Sequence, residues 1–237
     1  MKKKLLVAAL AVIMVVTAIA GASLAYLQDT DSAKNVMTAG NVLIEQNEKD
    51  RDGNDFVDDQ KLYPAVINGA LTKEDGLWTD SINNEIDKIV TVTNTGTESA
   101  YIRTIIAFET QRHYAEGSST EFTNLHDVYL GVNGSFDYLD MYITVGGVEY
   151  CLAAYTYEGA SGDGKIAAGE TTESSLRQIF LAPTAGNEFY ALFGEYDILV
   201  LSQAVQTEGF ADADTALNTA FGEITEENAT TWFANVQ

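Results

Sequence analysis

The segment Tyr138–Tyr157, with the sequence YLDMYITVGGVEYCLAAYTY, gives the clearest indication of the fold. Its two halves, Tyr138–Val145 and Val148–Tyr157, are rich in aromatic and β-branched residues and flank Gly146-Gly147. Two glycines between such runs predict a tight β-hairpin, because the favoured two-residue turns require positive φ angles. Cys151 lies in the second half and is the single cysteine of the chain, so we expect a buried, inert thiol.

Further runs with strand character lie on both sides of this hairpin. They are Val36–Ile44, Lys88–Asn94, Ala100–Glu109, Ser175–Leu181 and Asp197–Gln206. Few long helical patterns separate them. The sequence therefore predicts an all-β fold, a jelly-roll-like β-sandwich of seven or more strands that are mostly connected by hairpins.

Two helical patterns close the chain. The first, Asp212–Phe221, places its apolar residues on one side and is stopped by Gly222. Thr225 is a suitable N-cap for the second, with two acidic residues in the first turn. Its apolar stripe has helical spacing and consists of Ala229, Trp232, Phe233 and Val236. We expect short C-terminal helices that pack on the sandwich, whereas the alternative is a helix that binds a partner.

The composition excludes one class of partner. The chain of 237 residues has 13 Lys and Arg against 35 Asp and Glu, which gives a net charge of −22. Binding to phosphates requires clustered Lys and Arg, so we expect no interaction with nucleic acid. Hydrophobic residues make up 46% of the chain, which is enough for a packed core.

The N-terminus has the pattern of an export signal. Lys2–Lys4 form a positive region, Leu5–Ala20 is apolar, and small residues precede Ala25. This pattern predicts a signal peptide over residues 1–25 that is cleaved between Ala25 and Tyr26, and the alternative is an uncleaved membrane anchor. We therefore expect a secreted protein that is extracellular or lies at the cell surface.

The residues around the predicted cleavage site resemble a known family. Ala25–Asn35, followed by Thr38–Val42, is similar to the A-Y-F-x-D motif and the glycine-containing segment after it in the camelysin/TasA family. Those secreted proteins are matured by a SipW-type signal peptidase. Lys88–Phe108 and Leu201–Gly222 are similar to further segments of that family. Leu27 departs from the motif, where an aromatic residue is usual, and residues 46–81 show no similarity to it.

This resemblance implies a function. Members of the family form extracellular filaments of the biofilm matrix by donor-strand complementation, in which the N-terminus of one subunit completes the sheet of the next. We therefore expect a non-enzymatic structural subunit with no catalytic residues. Its expected partners are further copies of this chain, an accessory matrix subunit and the signal peptidase.

The segment that cleavage would release, residues 26–45, carries a strand pattern ahead of a sandwich domain over residues 46–237. The candidate donor residues on one face of this strand are Val36, Thr38, Gly40, Val42 and Ile44. A competing interpretation is that the segment folds back as the first strand of its own sandwich. Two other functions stay open: a monomeric cell-surface adhesin or binding module, and a camelysin-type metalloprotease, for which His113 and His126 are the only histidines.

One acidic loop has the spacing of a calcium site. The candidate ligands alternate along the chain and are Asp50, Asp52, Asn54, the Phe56 carbonyl and Asp58. Two features depart from a calcium loop: Lys61 stands where a bidentate acid is usual, and the glycine is Gly53 instead of the sixth position. Calcium is the one cofactor that the sequence predicts, and the alternative is a solvated acidic turn.

Overall fold

Strands with alternating side chains build two packed sheets, and two short helices follow them. In this computed structural model the described residues are 36–39, 42–57, 60–71, 73–74, 76–78, 82–110, 130–185 and 196–234. The strands are β1 (Val36–Ala39), β2 (Ile44–Lys49), β3 (Val66–Ile67), β4 (Lys73–Glu74), β5 (Leu77–Trp78), β6 (Ile82–Asn83), β7 (Ile86–Asn94), β8 (Ala100–Glu109), β9 (Leu130–Gly134), β10 (Asp137–Val145), β11 (Val148–Thr156), β12 (Leu176–Leu181) and β13 (Ile198–Gln206). The helices are α1 (Ala213–Phe221) and α2 (Glu226–Ala234).

The long strands form a five-stranded sheet and a four-stranded sheet. The first has the order β1-β13-β8-β11-β10 and the second the order β2-β7-β12-β9. The chain between β2 and β7 adds two small two-stranded sheets, β3-β6 and β4-β5. The predicted all-β sandwich with short C-terminal helices is confirmed.

The prediction that hairpins connect most of the strands is wrong. Most consecutive long strands switch from one sheet to the other, as from β7 to β8, from β11 to β12 and from β12 to β13. The hairpin β10–β11 is confirmed, and Gly146 and Gly147 have φ angles of 59° and 90° at its turn. Crossing between sheets is typical of a jelly roll, in which each sheet buries one face against the other.

Strand β8 lies at the centre of the fold and is covered on both faces. Ile106 packs between the sheets together with Val90 and Leu176, and Cys151 is buried in the same cluster. On the other face, Ile105 packs against the aromatic rings of α2. The helices thus form a third layer over the five-stranded sheet, so side chains on both faces of β8 are removed from water.

Both helices begin where the sequence predicts. Asp212 caps α1 by accepting a hydrogen bond from the Thr215 backbone N–H at 2.8 Å, and α1 ends at Gly222 with a φ angle of 92°. Thr225 caps α2 by accepting from the Asn228 backbone N–H at 3.1 Å. Within the described part of the chain, no helix has the length and apolar character needed to cross a membrane.

Candidate assembly edges and acidic turn

The predicted donor segment does not form a single strand. Of the residues 26–45, those at 36–39 and 42–45 are described: the former are β1, at one edge of the five-stranded sheet, and the latter lead into β2 of the other sheet. Val36 and Thr38 belong to β1, whereas Ile44 is the first residue of β2 and pairs with Asn94 of β7. Gly40 lies outside the described residues.

The prediction of one continuous strand fails because Val42 is a core residue. Its side chain is 3% exposed and packs with Val92, Ile102 and Ala204 between the two sheets. A chain that buries Val42 there must leave one sheet and enter the other.

Strand β1 is short and pairs on one described side with β13. The two strands are parallel, with Val36 opposite Ser202 and Ala39 opposite Val205. Strand β13 is nine residues long and β1 only four, so β1 accompanies less than half of its neighbour. Such an edge strand contributes few backbone hydrogen bonds and little buried area.

The side chains of β1 alternate between the helices and solvent. Met37 faces the cluster that contains the α2 rings, and its Sδ accepts a hydrogen bond from Gln203 Nε2 at 3.5 Å. Ala39 packs against Val205 and Leu217, the latter from α1. Thr38 is exposed.

A chain of buried polar groups lies beneath this edge. Ser202 donates to Gln46 Oε1 at 2.7 Å, which joins β13 to β2 across the sandwich. The Thr104 hydroxyl lies 3.0 Å from that of Ser202 and 2.9 Å from the phenol of Tyr157. Because these bonds and the full-length pairing with β8 do not involve β1, β13 is fixed in place without it. Sequence reasoning missed this network, although polar residues inside apolar strands were its signal.

Arg103 connects the helices to the sheet. It is 4% exposed, and its guanidinium donates to Gln203 Oε1 at 2.7 Å, to Asn218 Oδ1 at 2.8 Å and to the Gly222 carbonyl at 2.9 Å. The guanidinium carbon also lies 5.6 Å from the centre of a Trp232 ring. Burial lowers the pKa of Arg103 to about 10, so the side chain is still charged at neutral pH.

The opposite edge of the same sheet is β10, and it is built differently. Its register on β11 shifts between Tyr138 and Tyr142, and Asp140 within this bulge has a left-handed φ angle of 50°. The backbone N–H of Tyr142 donates to Glu226 Oε1 of α2 at 2.8 Å. Among the described residues, this edge is therefore closed by side chains and a helix, not by a further strand.

The predicted calcium loop is a tight turn at the end of β2. The Asp50 carbonyl accepts from the Gly53 N–H at 3.1 Å, and the Asp50 carboxylate accepts from the backbone N–H groups of Asp52 and Asn54. The Asn54 side-chain amide also donates to this carboxylate, at 2.9 Å, and is the largest cause that lowers the pKa of Asp50. The Asp50 carboxylate thus accepts its hydrogen bonds from donors within the turn itself.

A neighbouring arginine anchors the turn to β7. Arg51 donates to Asp87 and, at 2.8 Å, to Glu85 Oε1. Burial acts to raise the pKa of Asp87, but hydrogen bonds from Arg51 and Gln178 outweigh it and hold the pKa below its ordinary value. The Phe56 ring lies beneath the Lys88 ammonium, 4.1 Å from its centre.

The described residues contain no cluster of three or more His, Cys, Asp or Glu side chains with the geometry of a metal site. Asp58, the fifth predicted ligand, lies outside them, as do His113, His126 and the predicted cleavage site at Ala25 and Tyr26. The geometry therefore brings Asp50, Asp52 and Asn54 together in one turn and places Phe56 at its base.

Comparisons with protein-family models, with curated proteins and with solved structures found no match to this chain.

Proposed function

We propose that this protein is a secreted structural subunit of an extracellular biofilm-matrix fibre, assembled by exchange of β1 between subunits after removal of a signal peptide. The observation that carries the proposal is β1 itself, a four-residue strand at the edge of the sheet. In this proposal the protein is not an enzyme. Its partners are copies of itself, an accessory matrix subunit and a SipW-type signal peptidase.

Exchange preserves the contacts of β1. A strand that leaves its own β13 and pairs with β13 of the next subunit makes the same hydrogen bonds and buries the same side chains. Each backbone hydrogen bond is worth about 0.5–1.5 kcal/mol net, so four residues form a marginal cover that another copy can replace. The bond from Ser202 to Gln46 and the pairing of β13 with β8 support this mechanism, because they hold the acceptor strand when β1 is absent.

The exchanged part ends before Val42. Val42 is buried, and the Leu43 carbonyl accepts from the backbone N–H groups of Thr95 at 2.9 Å and Gly96 at 3.1 Å. These contacts hold the base of the segment in its own domain. The donor is therefore shorter than residues 26–45, since Ile44 and Glu45 pair with β7.

Charge sets the conditions for assembly. Residues 1–25 contain three Lys and no acid, so their removal changes the net charge from −22 to −25. Subunits of this charge repel one another, and added cations screen the repulsion. We expect fibres to grow faster at higher ionic strength.

The test is electron microscopy of the purified mature chain, residues 26–237, in negative stain. Ala39→Asp places a charge against Val205 and Leu217 and should abolish fibres while circular dichroism stays that of a folded protein. Thr38→Asp is the matched control on the exposed side of the same strand and should still form fibres. Fibre formation by Ala39→Asp at the wild-type rate would overturn strand exchange. A wild-type chain that stays monomeric at every salt concentration would favour the monomeric binding module.

A further inference from the structure

At the β10 edge, an exposed acidic side chain makes a hydrogen bond that the packing of the sheet does not require. Glu226 is exposed, yet its Oε1 accepts a hydrogen bond from the outward-facing backbone N–H of Tyr142 at 2.8 Å. An unpaired N–H on an edge strand is a template for another strand, and a side chain that occupies it removes the template. Glu226 thus occupies the position where an added strand would bind.

The bulge beside this contact adds a second obstacle. Three residues of β10, Leu139, Asp140 and Met141, stand opposite the single residue Leu152 of β11. Leu139 and Met141 pack against the cluster that contains Trp232 and Phe233 of α2. A bulge bends and twists the edge locally, so that an incoming strand can pair only with the regular part of β10, residues 142–145, beside Glu226.

We propose that α2 blocks the β10 edge and so prevents β10 of a second copy from pairing there. It does so through Glu226 and through the packing of its aromatic rings against the bulge. The partner that is kept out is an antiparallel β10, because two copies of one edge meet about a two-fold axis. This blocking role is independent of fibre formation. Combined with the proposed function, it would restrict strand addition on the five-stranded sheet to the edge beside β13.

The experiment compares three variants of the mature chain, Glu226→Ala, Glu226→Gln and Glu227→Ala. All are made in the Ala39→Asp background, so that β1 exchange does not contribute. Glu226 and Glu227 are both exposed acids in the first turn of α2. The loss of one charge near the helix N-terminus is therefore matched between the two alanine variants. Glu226→Gln keeps the acceptor oxygen and removes only the charge.

Hydrogen exchange at the Tyr142 amide is the direct measurement. At low protein concentration we expect Glu226→Ala to accelerate this exchange about tenfold, because a bond to a charged acceptor is lost. Glu227→Ala should leave the rate unchanged, and Glu226→Gln should retain most of the protection. At high concentration we expect Glu226→Ala to sediment as a dimer in which the Tyr142 amide is protected again.

Two results would overturn this blocking role. One is equal Tyr142 exchange in the two alanine variants, and the other is a Glu226→Ala protein that exchanges rapidly but stays monomeric at high concentration. Neither result bears on the fibre proposal. That proposal fails instead if the Ala39→Asp background itself forms fibres.

Discussion

The two edges of the five-stranded sheet are covered by different means. At one edge, β1 adds four residues of parallel pairing, and the buried hydrogen bonds among Gln46, Ser202, Thr104 and Tyr157 do not include it. At the other, a bulge, an acidic side chain and a helix cover β10. Strand β1 is held by only four residues of pairing, whereas α2 is anchored by the buried rings of Trp232 and Phe233. One edge of the sheet is therefore covered by a strand that another copy can replace, and the other is covered by a helix that stays in its own subunit.

Substitution of Arg103 has the largest expected effect, because this side chain makes contacts near both edges of the five-stranded sheet. It binds Gln203 near β1, Asn218 on α1 and the ring of Trp232 on α2. Arg103→Ala removes the donor to the buried Gln203 and to the half-buried Asn218 and Gly222, and we expect the free energy of unfolding to fall by about 3–5 kcal/mol. Denaturant unfolding followed by tryptophan fluorescence measures this change.

The matched control for that variant is Arg177→Ala. Arg177 is half-buried on β12 and donates to Ser135 Oγ at 2.9 Å. Its loss should cost about 1 kcal/mol. Equal costs for the two arginines would show that Arg103 does not organise the helices.

Val42 and Leu43 test the point in the chain at which the exchangeable strand β1 gives way to the fixed part of the domain. Val42 is 3% exposed and Leu43 is 64% exposed, although they are neighbours. We expect Val42→Asp to lower the free energy of unfolding by about 3 kcal/mol or more, because it puts a charge between the sheets. Leu43→Asp should change it by less than about 0.5 kcal/mol. A stable Val42→Asp protein would mean that the whole segment, including Val42, is outside the core.

The sequence predicted the long central strands, but it did not predict which residues lie at the edges of the sheets. Alternation along Lys88–Asn94 and Ala100–Glu109 located β7 and β8, because these strands bury whole faces. In the run from Val36 to Ile44, the pair Gly40-Asn41 is the one local signal of a break, and it is compatible both with a bulge in a single strand and with a change of sheet. The contact between Tyr142 and Glu226 joins residues 84 positions apart, and no local pattern predicts such a pair.

The protonation of Glu109, at the end of β8, should change the stability of the whole fold without changing either edge of the sheet. Glu109 accepts a hydrogen bond from the Asp197 N–H at 2.9 Å, and Tyr150 donates to the Asp197 carboxylate at 2.9 Å. Burial, together with the charge of Asp197, raises the pKa of Glu109 from 4.5 to about 7. Between these two values the folded state holds a proton that the unfolded state has lost, so stability falls as the pH rises through this range.

We expect Glu109→Gln to remove most of this pH dependence. The wild-type free energy of unfolding should fall by on the order of 2 kcal/mol between pH 4.5 and pH 7.5, since one pKa unit corresponds to about 1.4 kcal/mol. Glu109→Gln should be the more stable protein at pH 7.5 and should form fibres and protect the Tyr142 amide as the wild type does. Parallel pH profiles for both proteins would contradict the assignment to Glu109.

The smallest expected effect concerns calcium at the Asp50 turn, which follows β2 of the four-stranded sheet and belongs to neither edge of the five-stranded sheet. Asp52 and Asn54 are exposed, and a bound calcium would have to share the Asp50 carboxylate with the N–H donors that already occupy it. We therefore expect weak binding, with a stabilisation of about 1 kcal/mol when calcium exceeds its dissociation constant severalfold. Differential scanning calorimetry with calcium and with magnesium measures it. Asp52→Ala should remove the calcium-specific part, whereas Asp163→Ala, in another polar turn, should retain it. If both variants respond equally to the two cations, screening of the net charge of −25 that remains after removal of residues 1–25 explains the whole effect and the turn is a solvated acidic turn.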